Sequence, residues 1–107
     1  MKGVQLRFYT YENRHIHGEL VYEWLLEHAK RLGIHGGSAF RAIAGFGRHG
    51  KLHEQHFFEL AGEVPILVEF VMDEDACARL LASLAPEKLQ LFYMRAPIEY
   101  GQIGQVT

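Results

Sequence analysis

Residues 38–60 read SAFRAIAGFGRHGKLHEQHFFEL, and the way this stretch is parsed decides the fold. Ser38 to Phe46 alternates, with Phe40, Ala42 and Ala44 on one side and Arg41 and Ile43 on the other, so it predicts a strand. The strand runs into glycines at Gly45, Gly47 and Gly50. G-F-G-R-H-G has the spacing of a dinucleotide-binding turn, but that turn must open directly into a helix. Lys51 to Leu60 carries no helical stripe, and a short strand over His56 to Leu60 suits it better. The dinucleotide fold is therefore rejected, and the stretch is a loop between strands. Two readings of that loop stay open. Its glycines only make a hairpin turn, or they admit positive φ and let backbone N–H groups converge on an anion. In the second reading Arg48 and Lys51 add charge and directed hydrogen bonds.

Outward from the loop, the hydrophobic period assigns the other elements. Val4 to Tyr11 sets Val4, Leu6 and Phe8 against Gln5, Arg7 and Tyr9, a strand pattern. Glu12 to Gly18 reads as a polar turn. Over Glu19 to Leu32 the period becomes helical, with Val21, Trp24, Leu25, Ala29 and Leu32 on one stripe and Gly33 as the stop. Pro65 to Met72 is a nearly continuous apolar strand. Asp73 can cap a second helix, whose stripe is Cys77, Leu80, Leu81 and Leu84, and Pro86 ends it. Leu89 to Arg95 is a fourth strand, with Pro97 marking an edge.

The order β-α-β-β-α-β is that of an α+β, ferredoxin-like sandwich: a four-stranded, mainly antiparallel sheet with two helices on one face. The other face should then be polar. Instead the strands place Tyr9, Tyr11, Ile43, Leu67, Val71, Phe92 and Met94 beyond what two helices can cover. A second copy of the chain is expected to cover them. Arg7, Arg41 and Glu69 fall among these positions, either paired inside that interface or wet at its rim.

The chain has 107 residues, 49% of them hydrophobic, and a formal charge of −2. That length predicts a single domain over 1–107. The charge lacks the basic footprint usual for nucleic-acid binders. No signal peptide or apolar span is visible, so membrane insertion is not expected. The lone Cys77 excludes an intrachain disulfide and suits the cytoplasm. It sits on an apolar helix stripe, as a small core residue does. Residues 101–107 read as a loose tail. No Ser/His/Asp pattern or carboxylate pair suggests catalysis, so an enzyme is not expected. His49, His53 and His56 are spaced by four and three, and His15 and His17 flank Ile16, but no H-E-x-x-H pattern accompanies them.

The chain resembles the PII signal-transduction superfamily through A-G-F-G-R at Ala44 to Arg48. The resemblance is to its PII-like branch, the domain-of-unknown-function family numbered 190. L-R-F-Y at Leu6 to Tyr9, H-G-E-L-V-Y-E at His17 to Glu23, G-I-H-G-G-S-A-F-R-A-I-A-G-F-G at Gly33 to Gly47 and V-P-I-L-V-E at Val64 to Glu69 carry it, over roughly residues 4 to 95. The resemblance implies a homotrimer, with the uncovered sheet faces turned to the threefold axis. It also implies an adenine nucleotide (AMP, ADP or ATP) in an intersubunit cleft, and a mobile loop over about 47–62 that engages a protein partner such as a transporter or an enzyme. Carried over position by position, the nucleotide or anion site comprises Gly45, Phe46, Gly47 and Arg48, with Lys51 beside them. The glutamine that follows the arginine in PII proteins is His49 here, and the G-D-G-K and R-x-R-T-G-E phosphate segments are absent. Arg95 is the one candidate to replace them. These departures favour a monophosphate such as AMP over a metal-bound triphosphate, or no nucleotide at all. The alternative is a trimeric divalent-metal-handling protein similar to the copper-tolerance family, which the histidines of loop and turn would serve.

Overall fold

A computed structural model describes residues 1–46, 52–54 and 64–104. In chain order the elements are β1 (Lys2–Tyr11), β2 (His15–Ile16), β3 (Glu19–Leu20), α1 (Val21–Arg31), β4 (Gly37–Arg41), β5 (Ala44–Phe46), β6 (Leu52–Glu54), β7 (Pro65–Met72), α2 (Glu74–Leu84) and β8 (Phe92–Glu99). Four strands form one antiparallel sheet in the order β4-β7-β1-β8. This is the expected ferredoxin-like α+β sandwich.

The core lies between the sheet and the two helices. Val4, Leu6 and Phe8 stand opposite Met72, Phe70 and Val68, and all six are buried. Against them α1 packs Val21, Trp24, Leu25 and Ala29, while α2 packs Ala76, Cys77 and Leu80. Each fully buried side chain of leucine or phenylalanine size contributes about 1.5–3 kcal/mol.

Local chemistry sets the helix ends. Asp73 is the N-cap of α2, its Oδ1 accepting from the Ala76 amide at 2.7 Å. Helix α1 closes on Gly33 at φ 87°, where the Gly33 amide donates to Lys30 and the Ile34 amide donates to Ala29. That pair of bonds defines a Schellman stop, which needs the left-handed residue glycine permits.

Three sequence expectations change. His15–Ile16 and Glu19–Leu20 pair as a small hairpin inside the stretch read as a turn and helix start. The strand expected over Ser38 to Phe46 breaks near Ala42, so β4 belongs to the main sheet and β5 to a separate ribbon with β6. The fourth strand begins at Phe92 and runs through Pro97 to Glu99, which an edge strand tolerates. The strand expected over His56 to Leu60 lies outside the described residues.

Candidate functional site

The residues proposed for the anion fall into two groups. Gly45 and Phe46 lie on β5, opposite His53 and Leu52 of β6. A Cβ built on Gly45 would meet nothing within 4 Å, so packing within the described residues does not demand glycine there. Gly47, Arg48 and Lys51 lie outside the described residues.

Arg95 stands elsewhere. It opposes Leu6 in register and so shares the helix-facing side of β8. Its Nη2 donates to both carboxylate oxygens of Glu74, at 2.8 and 2.7 Å. Glu74 opens α2, where its charge suits the helix dipole. Two residues before Arg95, and on the same side, Tyr93 opposes Phe8 and is 46% exposed. Tyr93 borders an apolar crevice of about 160 Å³ between β8 and the end of α2, with Phe8, Leu81, Leu84 and Ala85 also lining it.

Strand order separates the two groups. β4, which leads into β5, and β8 are opposite edges of the sheet, three strand spacings or roughly 14 Å apart. Among the described residues, one chain does not bring Gly45 and Arg95 into a common pocket.

The sheet face away from the helices is apolar at one row and polar at the next. Phe40, Leu67, Tyr9 and Phe92 stand side by side across all four strands. Phe40, Tyr9 and Phe92 are exposed, and Tyr9 and Phe92 pack ring on ring at 5.6 Å. In the adjoining row Arg7 Nε donates to Glu69 Oε1, and Gln5 Nε2 reaches the same oxygen from the row beyond, both at 2.8 Å. Those bonds hold the Glu69 carboxyl below its ordinary pKa, the Arg7 contribution being the larger. The Glu69 bond likewise raises Arg7.

Arg41 does not join this pair. It opposes Ile66, so it lies on the helix side of the sheet, and it donates to Glu12 at the chain's first turn. Alternation alone assigned it to the wrong face. Every side chain of β4 is exposed, so no buried stripe identifies its inward face. What does so is Gly37, which opposes Phe70 and leaves room for that ring.

Two of the described histidines, His28 and His17, make contacts with other side chains. His28 stacks on Trp24 at 4.7 Å between ring centroids, with an interplanar angle of 15°, and its Nε2 lies 2.7 Å from Ser83 Oγ. Burial, and secondarily Arg31, lowers the His28 pKa, while Glu87 opposes the shift. His17 meets Glu87 at 2.6 Å. Among the described residues no three histidine, cysteine or carboxylate side chains could hold a metal ion. His49 and His56 lie outside them. Cys77 is fully buried, and burial pushes its thiol up, away from nucleophilic thiolate.

Comparison with known proteins gives this geometry a family. A family model named DUF190, described as "Uncharacterized ACR", matches residues 3–93. The chain belongs to the DUF190 family. The UPF0166 protein of Aquifex aeolicus is 35% identical over 84 residues, covering 78% of this chain and 80% of that protein. A UPF0166 protein of Methanocaldococcus jannaschii is 32% identical over 84 residues, covering 78% and 77%. Among solved structures, CPII from Thiomonas intermedia K12, a nitrogen regulatory PII-like protein bound to ADP, AMP and bicarbonate, is similar with a TM-score of 0.70. That likeness covers 95% of this chain and 91% of CPII at 18% identity, and so speaks to the fold. A putative PII-like signaling protein from Thermus thermophilus aligns at a TM-score of 0.61 and 17% identity, over 91% of this chain and 87% of that one. This DUF190 chain thus shares the fold of PII-like proteins.

Glu74 and Tyr93 escape a reading of the sequence. Neither stands in a motif, and each gains meaning only from a partner distant in sequence. The acidic first turn of α2 is visible there, but nothing in it points to Arg95.

Proposed function

We propose that this DUF190 protein is a cytoplasmic, non-catalytic regulator that binds an adenine nucleotide between the subunits of a homotrimer. The loop following Gly45 reports occupancy to a protein partner. The observation that carries this reading is that Gly45 lies on the ribbon that follows edge strand β4, whereas Arg95 lies on β8, the opposite edge of the main sheet. Groups so placed converge where the β5–β6 ribbon of one copy meets the β8 edge of another. The apolar row of Phe40, Leu67, Tyr9 and Phe92 gives those copies a surface to share. Support from outside the chain is the PII-like CPII, solved with ADP and AMP. No described helix is long and apolar enough to cross a membrane, and the contact with a transporter or enzyme is assigned to the loop. Arg48 and the backbone at Gly45 to Gly47 receive the phosphate, with Lys51 and Arg95 as further cations.

Calorimetric titration of AMP, ADP and ATP, with light scattering on the same sample, tests the reading. Micromolar binding by a three-chain particle is expected. A monomer, or a trimer that binds none of the three nucleotides, refutes it.

A further inference from the structure

His28 and His17 line a seam between the two helices that the proposed nucleotide site does not use. On its inner side His28 lies flat on Trp24, centroids 4.7 Å apart, and its Nε2 meets Ser83 Oγ of α2 at 2.7 Å. On its outer side His17 stands 6.0 Å from the same indole and meets Glu87, in the connection from α2 to β8, at 2.6 Å. His17 and Gly18 are the tip of the β2–β3 hairpin, at φ 51° and 78°. Asparagine or aspartate is usual before glycine in a two-residue turn with both φ positive. A histidine there puts an imidazole within reach of Glu87.

Hydrogen-bond logic fixes the state of His28. Ser83 has one hydroxyl proton and gives it to the Leu80 carbonyl at 2.7 Å. Ser83 therefore accepts from His28, whose Nε2 carries hydrogen, and an incoming proton must go to Nδ1. Its charge would sit on a half-buried ring. The groups that face it are Arg31 of its own helix, Glu87 of the α2–β8 connection and His17 beside the shared indole, while Ser83 of α2 is neutral. Burial, and then Arg31, disfavours the charge, and Glu87 favours it.

We infer that His28 is an acid-released latch between α1 and the last turn of α2: the neutral ring covers Trp24, and the protonated ring leaves for water. The outer contact answers the same proton differently. His17 is 61% exposed, so a charge on it costs little desolvation and strengthens its bond to the Glu87 carboxylate. Acid thus opens the seam on the inside while its outside stays joined, and the opening is local.

Trp24 is the chain's only tryptophan and is 5% exposed, so its accessibility reads the latch. The whole chain is titrated from pH 7.5 to 5.5, following emission wavelength and acrylamide quenching, with far-UV circular dichroism on the same samples. A reversible red shift, with the quenching constant rising about twofold or more, is expected below about pH 6.5, the dichroism staying unchanged. His28→Gln keeps a donor for Ser83 but takes no proton, and its quenching should stay flat. His17→Gln should retain the rise. Flat quenching in wild type, better protection of Trp24 in acid, or a rise that comes only with loss of dichroism overturns the inference. So does a rise that survives His28→Gln or disappears in His17→Gln.

Discussion

Arg7 and Glu69 face each other on neighbouring strands, Nε to Oε1 at 2.8 Å, on the side of the sheet that neither helix covers. Beside them run the exposed rings of Tyr9 and Phe92. A charge pair satisfied by its own chain, and by Gln5, can enter an interface without leaving either charge unmatched.

The pair therefore gives a test of assembly. Light scattering at micromolar concentration should return three times the chain mass for wild type. Glu69→Ala leaves Arg7 unpaired on the shared face, and the particle should fall to monomer. A variant that stays trimeric would mean the pair sits outside the interface.

For the loop, Arg48→Ala is the direct probe. Hydrogen bonds to charged groups contribute about 1.5–3 kcal/mol, which corresponds to roughly a ten- to hundredfold loss of AMP affinity. Calorimetry on both proteins checks it. An unchanged affinity would mean that the glycines of the loop only make a turn.

Glu74→Gln should act in the opposite direction. Removing the carboxylate frees Arg95, and AMP should bind about two- to fivefold more tightly, the scale of an exposed ion pair. In an Arg95→Ala background the same substitution should gain nothing. Calorimetric titration of the four proteins closes the cycle.

His28 makes stability depend on pH. Its folded pKa is lowered, chiefly by burial, so the folded chain binds fewer protons than the unfolded one. The contribution is whole above the unfolded value of about 6.5 and is lost as pH falls through it toward the folded value. Thermal melts at pH 7.5 and 5.5 should show the lower midpoint at pH 5.5. His28→Gln should narrow that difference.

Gly37→Ala tests the element that orients β4. A Cβ there would stand 2.5 Å from Phe70 Cε1 and 3.0 Å from Leu26 Cδ2. Phe70 is buried and cannot swing away. Overpacking of this sort costs about 1–3 kcal/mol, or a melting point lower by roughly 4–20 °C. A melt within a degree of wild type would contradict the packing.

Features that depend on neighbours within a few residues were legible in the chain before any folding was considered. Period two over Val4 to Tyr11, the nearly continuous apolar run over Pro65 to Met72, period 3.6 over Val21 to Leu32, Asp73 before α2 and Gly33 after α1 all act locally, and all stand in the structure. The order of those elements sufficed for the ferredoxin-like fold, and the motifs from L-R-F-Y to V-P-I-L-V-E, A-F-R-A-I-A-G-F-G above all, carried the resemblance to the DUF190 family. Long-range packing was needed to determine which face Arg41 takes, that Arg95 meets Glu74, and that Tyr93 borders a crevice. The physical reason is register. A one-residue slip turns every side chain of a strand to the other face, and in the wholly exposed β4 only the fit of Gly37 under Phe70, 33 positions along the chain, selects between the two.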